Sequence, residues 1–367
     1  MPTVADVVAY LDRFAPPAMA AEWDNVGLLA GDPTFPAKHI LTCLTITPEV
    51  VEEATDLQVD LIVAHHPVMF RGVKKLTPHT PDGRLLLPLL SHGIAVYSPH
   101  TSFDNCPGGI NDGLARRIGL TTIQPLRKAM SKPECKLVVF LPEADLAKVS
   151  DAMFAAGAGK IGQYEQCSFR VHGTGTFFGT DSTNPTVGVK GRREEESEWR
   201  LEVVVPENKV DAVIAAMRQS HSYEEPAFDV YTLRAKTTGG EGRTGQLAAP
   251  LLLGELAKLT KTQLNANGVQ LVGDVNKPVQ RVAIACGAAG EFLKDAIAAK
   301  ADVFLTGEIR FHDCLTAVAA NIAVILPGHY ATEHPGVEDL TTQLAAAFPA
   351  AVVTASQRER DPLTTIV

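Results

Sequence analysis

Apolar positions at the two ends of the chain alternate between helical and strand-like spacing. In the first third, helical periodicity predicts helices over residues 3–14, 48–57, 82–92 and 108–118. Alternating or continuous apolar runs predict strands over residues 40–46, 61–64 and 94–97. Because strands and helices alternate, this part predicts a parallel sheet with helices on its faces.

The pattern changes at about residue 133. Strands are predicted over 136–141, 201–205 and 227–233, with another made of strand-like pieces at 167–171 and 174–178, and helices over 145–156 and 209–219. This β-α-β-β-α-β order is typical of a ferredoxin-like domain. We interpret residues 133–240 as a domain inserted into the first one, with the Gly-rich segment 237–242 as its exit linker.

The α/β alternation resumes towards the C-terminus. Helices are predicted over 251–264, 311–320 and 335–348, with another ending at about 300, and strands over 281–286, 303–305, 322–326 and, as an edge strand, 351–353. The predicted fold class is therefore α/β. We expect a two-lobed α/β/α sandwich built from both chain ends, residues 1–130 and 245–367, with an inserted α+β ferredoxin-like domain.

Composition narrows the functional classes. The 367 residues predict two or three domains, and a net charge of −9 without a basic run argues against a nucleic-acid partner. No apolar run approaches the about 20 residues that cross a bilayer, and no signal peptide is visible, so no membrane association is predicted. Six scattered cysteines without a CxxC pair suit a reducing cytoplasm, which is the expected location.

Two short polar segments carry the candidate chemistry: VAHHP at 63–67 and GHYATE at 328–333. Each follows an apolar run, and ligands bind at the carboxyl ends of strands in α/β sheets. We expect both segments to meet as loops over one sheet, joined by Asp104 from a third strand end. The imidazoles of His65, His66 and His329 and the carboxylates of Asp104 and Glu333 suit zinc, manganese, iron(II) or nickel.

The number of these side chains favours two ions over one. Five ligands leave a single catalytic ion no open position, whereas two ions that share a carboxylate would hold attacking and leaving oxygens. Pro67 favours an extended His66, which would let His65 and His66 serve one ion each. The alternative is two unrelated, partly exposed histidines on a loop.

Further polar residues are candidates for contacts that orient the metal ligands. His100 would orient Asp104 or another ligand, and His312 follows Glu308 by four residues at a helix start. For His312 a capping or solvated role is the alternative. The pair Glu224 and Glu225 is either a second ligand site or a solvated corner.

Together, the motifs IVAHHP (62–67), HTSFD (100–104), TGE (306–308) and GHYATE (328–333) resemble those of the GTP cyclohydrolase 1 type 2 homologues, the NGG-interacting-factor-three family. The resemblance covers 1–130 and 245–367, and the segment 133–240 resembles the PII- and CutA-like insert of the longer bacterial members. It implies a dinuclear metal site with the five ligands named above, two divalent ions per subunit, and a ring-shaped homohexamer. Thr45 and His334 depart from the Asp and Arg that are frequent in the family.

Two functions follow as hypotheses. The first is a metal-dependent hydrolase that opens the purine ring of GTP or cleaves a phosphoester, with a nucleotide-like small molecule as partner. The second is a non-catalytic metal-binding scaffold, chaperone or regulator that senses a metabolite through its PII-like insert. The sequence assigns no catalytic residue beyond the metal ligands.

Overall fold

A computed structural model describes residues 1–130, 133–234 and 237–366. Contacts between Cα atoms divide the chain into two compact units. Unit 1 contains Met1–Ala129 and Gly239–Val367, and unit 2 contains Met130–Thr238. In the described residues, every helix is too short or too polar to span a membrane.

Unit 1 contains most of the regular structure. Its helices are α1 (Val4–Phe14), α2 (Pro48–Asp56), α3 (Pro81–Ser91), α4 (His100–Asn105), α5 (Ile110–Arg117), α8 (Leu253–Gln263), α9 (Leu293–Ala298), α10 (Phe311–Ala319) and α11 (His329–Ala347). Its strands are β1 (Gly27–Ala30), β2 (His39–Cys43), β3 (Leu61–Ala64), β4 (Ala95–Ser98), β5 (Leu120–Met130), β10 (Thr237–Leu252), β11 (Gln270–Val272), β12 (Pro278–Ala285), β13 (Val303–Thr306), β14 (Ala323–Leu326) and β15 (Val352–Ala355).

Unit 1 is built on two sheets. The prediction that the segments 63–67 and 328–333 follow strands of one sheet is therefore wrong. The first sheet has the order β1-β4-β3-β2-β15, in which β2, β3, β4 and β15 are parallel. The second has the order β11-β14-β13-β12-β10-β5, with β12, β13 and β14 parallel. The predicted α/β class is confirmed, and β15 is an edge strand as expected.

The two sheets share one hydrophobic core. A continuous cluster of buried side chains joins β2, β3 and β4 to β12, β13 and β14 through helices α1, α5, α8 and α11. The opposite face of the first sheet packs against α2 and α3. The opposite face of the second sheet packs against α9 and α10. All four residues of β3 are buried, as its continuous apolar run predicts.

Three segments differ from the sequence prediction in ways that affect the site. The 328–333 segment is not a loop, because α11 begins at His329 and accommodates Pro335 in its interior. Residues 100–105 form the short helix α4. The predicted linker 237–242 is the first part of β10, a strand whose pairing with its neighbours outweighs its Gly-rich sequence.

Unit 2 consists of β6 (Glu134–Leu141), α6 (Leu146–Ala155), β7 (Phe169–Phe178), β8 (Arg193–Pro206), α7 (Val210–Ser220) and β9 (Phe228–Thr232). Its antiparallel sheet has the order β7-β8-β6-β9. Side chains of both helices pack with one face of the sheet in a separate core. The two predicted strand pieces at 167–178 are one strand. Assignment of this unit to the PII- and CutA-like domains stays a prediction.

Candidate metal centre

Two polar segments from different sheets meet at the carboxyl ends of parallel strands. His65 and His66 directly follow β3 in the first sheet, and His329 follows β14 in the second sheet and opens α11. Because parallel strands in one sheet end at the same edge, each sheet presents its polar residues at one end. The ligand candidates of the two sheets therefore meet where the carboxyl ends of their parallel strands lie close together.

One carboxylate oxygen connects the two segments. Oε2 of Glu333 lies 3.1 Å from Nε2 of His66 and 3.1 Å from Nε2 of His329. His329 and Glu333 are four residues apart on α11, so their side chains lie on one face of the helix. The three residues form a group whose potential ligand atoms lie within 4.8 Å of one another.

His65 and Asp104 lie beside this group. Nε2 of His65 is 3.5 Å from Oδ1 of Asp104, and the rings of His65 and His66 have centroids 5.0 Å apart. His65 is only 2% exposed. The structure thus brings all five predicted ligands, His65, His66, Asp104, His329 and Glu333, into one cluster.

The ring nitrogens that point away from Glu333 have partners of their own. Nδ1 of His66 is 2.7 Å from Oγ1 of Thr45, and Nδ1 of His329 is 3.1 Å from Oε1 of Glu308. Metal-binding histidines commonly hold their other ring nitrogen in this way, which fixes the orientation of the imidazole. Thr45 and Glu308 therefore orient His66 and His329.

His100 is close to the cluster, whereas His312 is separate from it. The potential ligand atoms of His100, His65 and His66 lie within 4.8 Å of one another, and Nδ1 of His100 is 2.7 Å from Oδ1 of Asp24. His312 is exposed on the first turn of α10, where its ring packs edge-on against Phe311. This position does not support the predicted role of His312 in orienting a metal ligand.

The ionisable groups of the cluster shift one another's pKa values. Burial raises the pKa of Glu333, but hydrogen bonds from His329 and His66 outweigh it and hold that pKa well below its usual range. The hydrogen bond to Glu333 raises the pKa of His329 to about 9. Burial and the charge of Glu333 raise the pKa of Asp104 to about 7. Burial lowers the pKa of His65, so its imidazole stays neutral.

Two observations show that these residues fit a divalent cation. Both ring nitrogens of His65 are buried without a hydrogen-bond partner among the described residues, an arrangement that is costly unless another group binds them. Gly287 follows β12, and a Cβ there would lie 2.2 Å from Oε1 of Glu333. The glycine therefore keeps space for the carboxylate. Neutral imidazoles and buried carboxylates are the donors that borderline divalent metals prefer.

Residues that hold Asp104 were not found from the sequence. Sγ of Cys286 is 3.2 Å from Oδ1 of Asp104. Asn111 accepts a hydrogen bond from the backbone N–H of Cys286 and donates one to the backbone carbonyl of Asp104. No motif marks Cys286 or Asn111, because their role depends on the contact between α5 and β12.

A large cleft opens beside the cluster. Its volume is about 1000 Å³, and its lining includes His329 and Glu308 as well as Lys258 and Lys261 of α8. Neither lysine forms an ion pair with any described residue. The cleft therefore combines the metal-ligand candidates with two unpaired lysines, and its lining also contains Glu255 and Asp361.

Comparisons with known proteins agree with the motif resemblance. The family model Duf34/NIF3 (NGG1p interacting factor 3) matches residues 2–362. A Bacillus subtilis protein named GTP cyclohydrolase 1 type 2 homolog is 38% identical over 326 residues, which cover 89% of this chain and 87% of that protein. A Mycobacterium bovis protein of the same name is 37% identical over 362 residues, with 96% and 94% covered.

Solved structures give the same result for the fold. A Bacillus cereus protein related to NIF3 superposes with a TM-score of 0.69 at 32% identity, covering 100% of this chain and 99% of that one. A Staphylococcus aureus protein superposes with a TM-score of 0.75 at 28% identity, with 100% and 99% covered. From the match along nearly its whole length and these identities, the chain belongs to the Duf34/NIF3 family.

Proposed function

We propose that this protein is a dinuclear metal-dependent hydrolase that acts on a nucleotide or a related phosphoester. One observation carries the proposal: Glu333 lies between His66 and His329, beside the buried and unpartnered His65. His66, His329 and Glu333 would hold one ion. His65 and Asp104, together with Glu333, would hold the other.

The protein side of the reaction follows from the contacts of these residues. Bound divalent ions would supply Lewis acidity and an activated water at neutral pH. Thr45 and Glu308 hold the imidazoles of His66 and His329 in fixed orientations, so the ligand set needs little rearrangement. Because His65 and Glu333 are buried, few water molecules can reach these two side chains.

The cleft supports an anionic substrate of nucleotide size. At about 1000 Å³ its volume lies at the upper limit of ordinary ligand pockets, and its lining includes His329 and Glu308. Lys258 and Lys261 are three residues apart on α8, so they lie on one face of the helix and can bind phosphate oxygens. A nucleotide would place its phosphates at these lysines and its reacting part at the ligand cluster.

Turnover by protein of known metal content tests the proposal. Protein loaded separately with zinc, manganese, iron(II) or nickel would be assayed with GTP and with p-nitrophenyl phosphate. We expect hydrolysis that depends on the metal and is lost in Glu333→Gln. Lys258→Ala with Lys261→Ala should raise KM for GTP about tenfold with little change in kcat. Lys294→Ala, an exposed lysine on α9, is the matched control.

The alternative function makes a different prediction in the same assay. A metal-binding scaffold or regulator would carry two ions per chain and bind a nucleotide without forming product. Full metal loading with no turnover of either substrate would therefore refute the hydrolase proposal and favour the scaffold. A homohexamer, expected from the family resemblance, and a cytoplasmic location, expected from the scattered cysteines, are compatible with both functions.

A further inference from the structure

Unit 2 contains a cavity of its own. Its volume is about 380 Å³, within the usual range of small-molecule pockets. It lies where β7 and β8 continue as a two-stranded ribbon past the end of β6, next to the segment 221–227 that follows α7. No residue of this cavity belongs to the metal centre.

Aromatic side chains form much of its wall. Phe140, Phe177, Phe178 and Tyr223 all line the cavity. Phe178 is 60% exposed although it is large and apolar, so part of this wall is accessible. Aromatic faces bury apolar ligand surface and also attract organic cations.

Glu198 supplies a carboxylate that has no cationic partner within the described part of the chain. It lines the cavity next to Tyr223, whereas Glu224 accepts a hydrogen bond from the backbone of Asn184. A Cβ at Gly175 would lie 2.1 Å from Oε2 of Glu198. The glycine therefore leaves the room that the carboxylate occupies.

Tyr223 adds a second polar group without a partner. Its hydroxyl is buried and has no hydrogen bond to any described residue. Buried polar groups nearly always have a partner, so this hydroxyl is available to a ligand. Burial and the nearby charge of Glu198 raise the pKa of Tyr223, so the phenol stays protonated.

The charge of the lining excludes one ligand class. The cavity is lined by Glu198, Glu224 and Glu225, and its lining contains no lysine, arginine or histidine. An anion such as a phosphate would meet three carboxylates and no cationic side chain in this lining. A cation would find an unpaired carboxylate, a free hydroxyl and aromatic faces.

We infer that this cavity binds a small organic amine with an apolar body. The ammonium group would contact Glu198 and the hydroxyl of Tyr223, and the apolar body would pack on Phe140 and Phe177. This is a second binding site, separate in sequence from the metal centre, and it accepts the opposite charge from the cleft beside His329.

Titration calorimetry on the full-length protein tests this inference with three matched probes. They are 2-phenylethylamine, which is cationic at neutral pH, the neutral 2-phenylethanol and the anionic phenylacetate. We expect saturable binding of the amine at one site per chain, binding of the alcohol at least about tenfold weaker, and no binding of phenylacetate.

Variants locate the site. Glu198→Gln should weaken amine binding at least about tenfold and leave the alcohol unchanged. Gly175→Val should weaken both probes, because its side chain enters the space beside Glu198. Glu195→Gln, an exposed glutamate on the same strand, should bind the amine like the original protein. Circular dichroism verifies that each variant is folded.

Three results would overturn the inference. They are equal affinity for the amine and the alcohol, unchanged amine binding in folded Glu198→Gln, and no saturable binding of the amine at millimolar concentration. Because these measurements need no turnover, they are independent of whether the metal centre is a hydrolase.

Discussion

The backbone at Gly287 approaches Glu333 so closely that a Cβ on Gly287 would lie 2.2 Å from Oε1 of the carboxylate. Gly287 also has φ = +65°, a conformation that side chains rarely adopt. One residue at the end of β12 therefore controls the position of the carboxylate that joins His66 and His329.

Gly287→Ala should reduce metal binding more than it reduces stability. The displaced carboxylate would weaken metal affinity at least about tenfold, which corresponds to about 1.4 kcal/mol. Gly119→Ala is the matched control, because Gly119 has φ = +80° and nothing within 4 Å of the added carbon. Both variants should lose about 1–2 kcal/mol of unfolding free energy from backbone strain. Equal metal affinity in the two variants, measured by calorimetry, would contradict this prediction.

Glu308→Ala should weaken metal binding although Glu308 is not among the proposed ligands. Its carboxylate lies 3.1 Å from Nδ1 of His329 and fixes the ring. Loss of such a partner typically costs about 10–100-fold in metal affinity. Glu308→Gln, which can still accept a hydrogen bond, should recover part of that loss. The exposed Glu52→Ala serves as control. A metal affinity that is the same in Glu308→Ala and Glu52→Ala would remove Glu308 from this role.

Glu333→Gln should lower the metal content measured by mass spectrometry from two ions to fewer than one per chain. Glu333 is the only residue proposed to serve both ions, so a neutral amide at this position weakens both proposed sites. Glu338→Gln changes an exposed glutamate on the same helix and should leave the metal content at two. Two ions in purified Glu333→Gln would disprove the proposed bridging position.

Removal of the metal should destabilise unit 1. Without an ion, His65 keeps two buried nitrogens unpaired, and Asp104 remains close to the charge of Glu333. Metal present at a thousandfold excess over its Kd adds about 4 kcal/mol to the unfolding free energy, so chelation should lower the melting temperature measured by calorimetry. In Glu333→Gln, chelation should have little effect. An equal shift in both proteins would mean that the chelator acts elsewhere.

Arg243→Lys should destabilise the protein although the charge is kept. Arg243 is 4% exposed, and its guanidinium contacts Asp112 and donates hydrogen bonds to the backbone carbonyls of Asn105 and Cys106. Lysine cannot reproduce this planar set of donors. We expect a loss of about 3 kcal/mol in urea denaturation, against little change for the exposed Arg116→Lys. Because these contacts end α4, the variant should also weaken metal binding.

Much of unit 1 is predictable from local pattern. The run 61–64 gives the bounds of β3 directly, because a strand buried on both faces is apolar at every position. The convergence of His65 and His66 with His329 follows from the rule that ligands bind at strand ends, although the two segments belong to two sheets.

The remaining features depend on contacts that local pattern does not contain. Pro335 suggests a helix start, yet α11 begins at His329, where Glu308 and the carboxylate of Glu333 hold the first turn. The Gly-rich 237–242 segment indicates a linker, yet strand pairing makes it part of β10. The contact of Cys286 with Asp104 joins residues 182 positions apart, which no sequence period reveals.

Helix α11 begins at the end of β14 in one sheet and leads into β15 at the edge of the other. The contact between His66 and Glu333 therefore closes a loop across 267 positions. Contacts of such high sequence separation form late and carry a large entropic cost of closure. A cation held through both segments, as proposed, could be captured during synthesis only after α11 has emerged from the ribosome. The proposed metal site therefore requires nearly all of unit 1 to have been made.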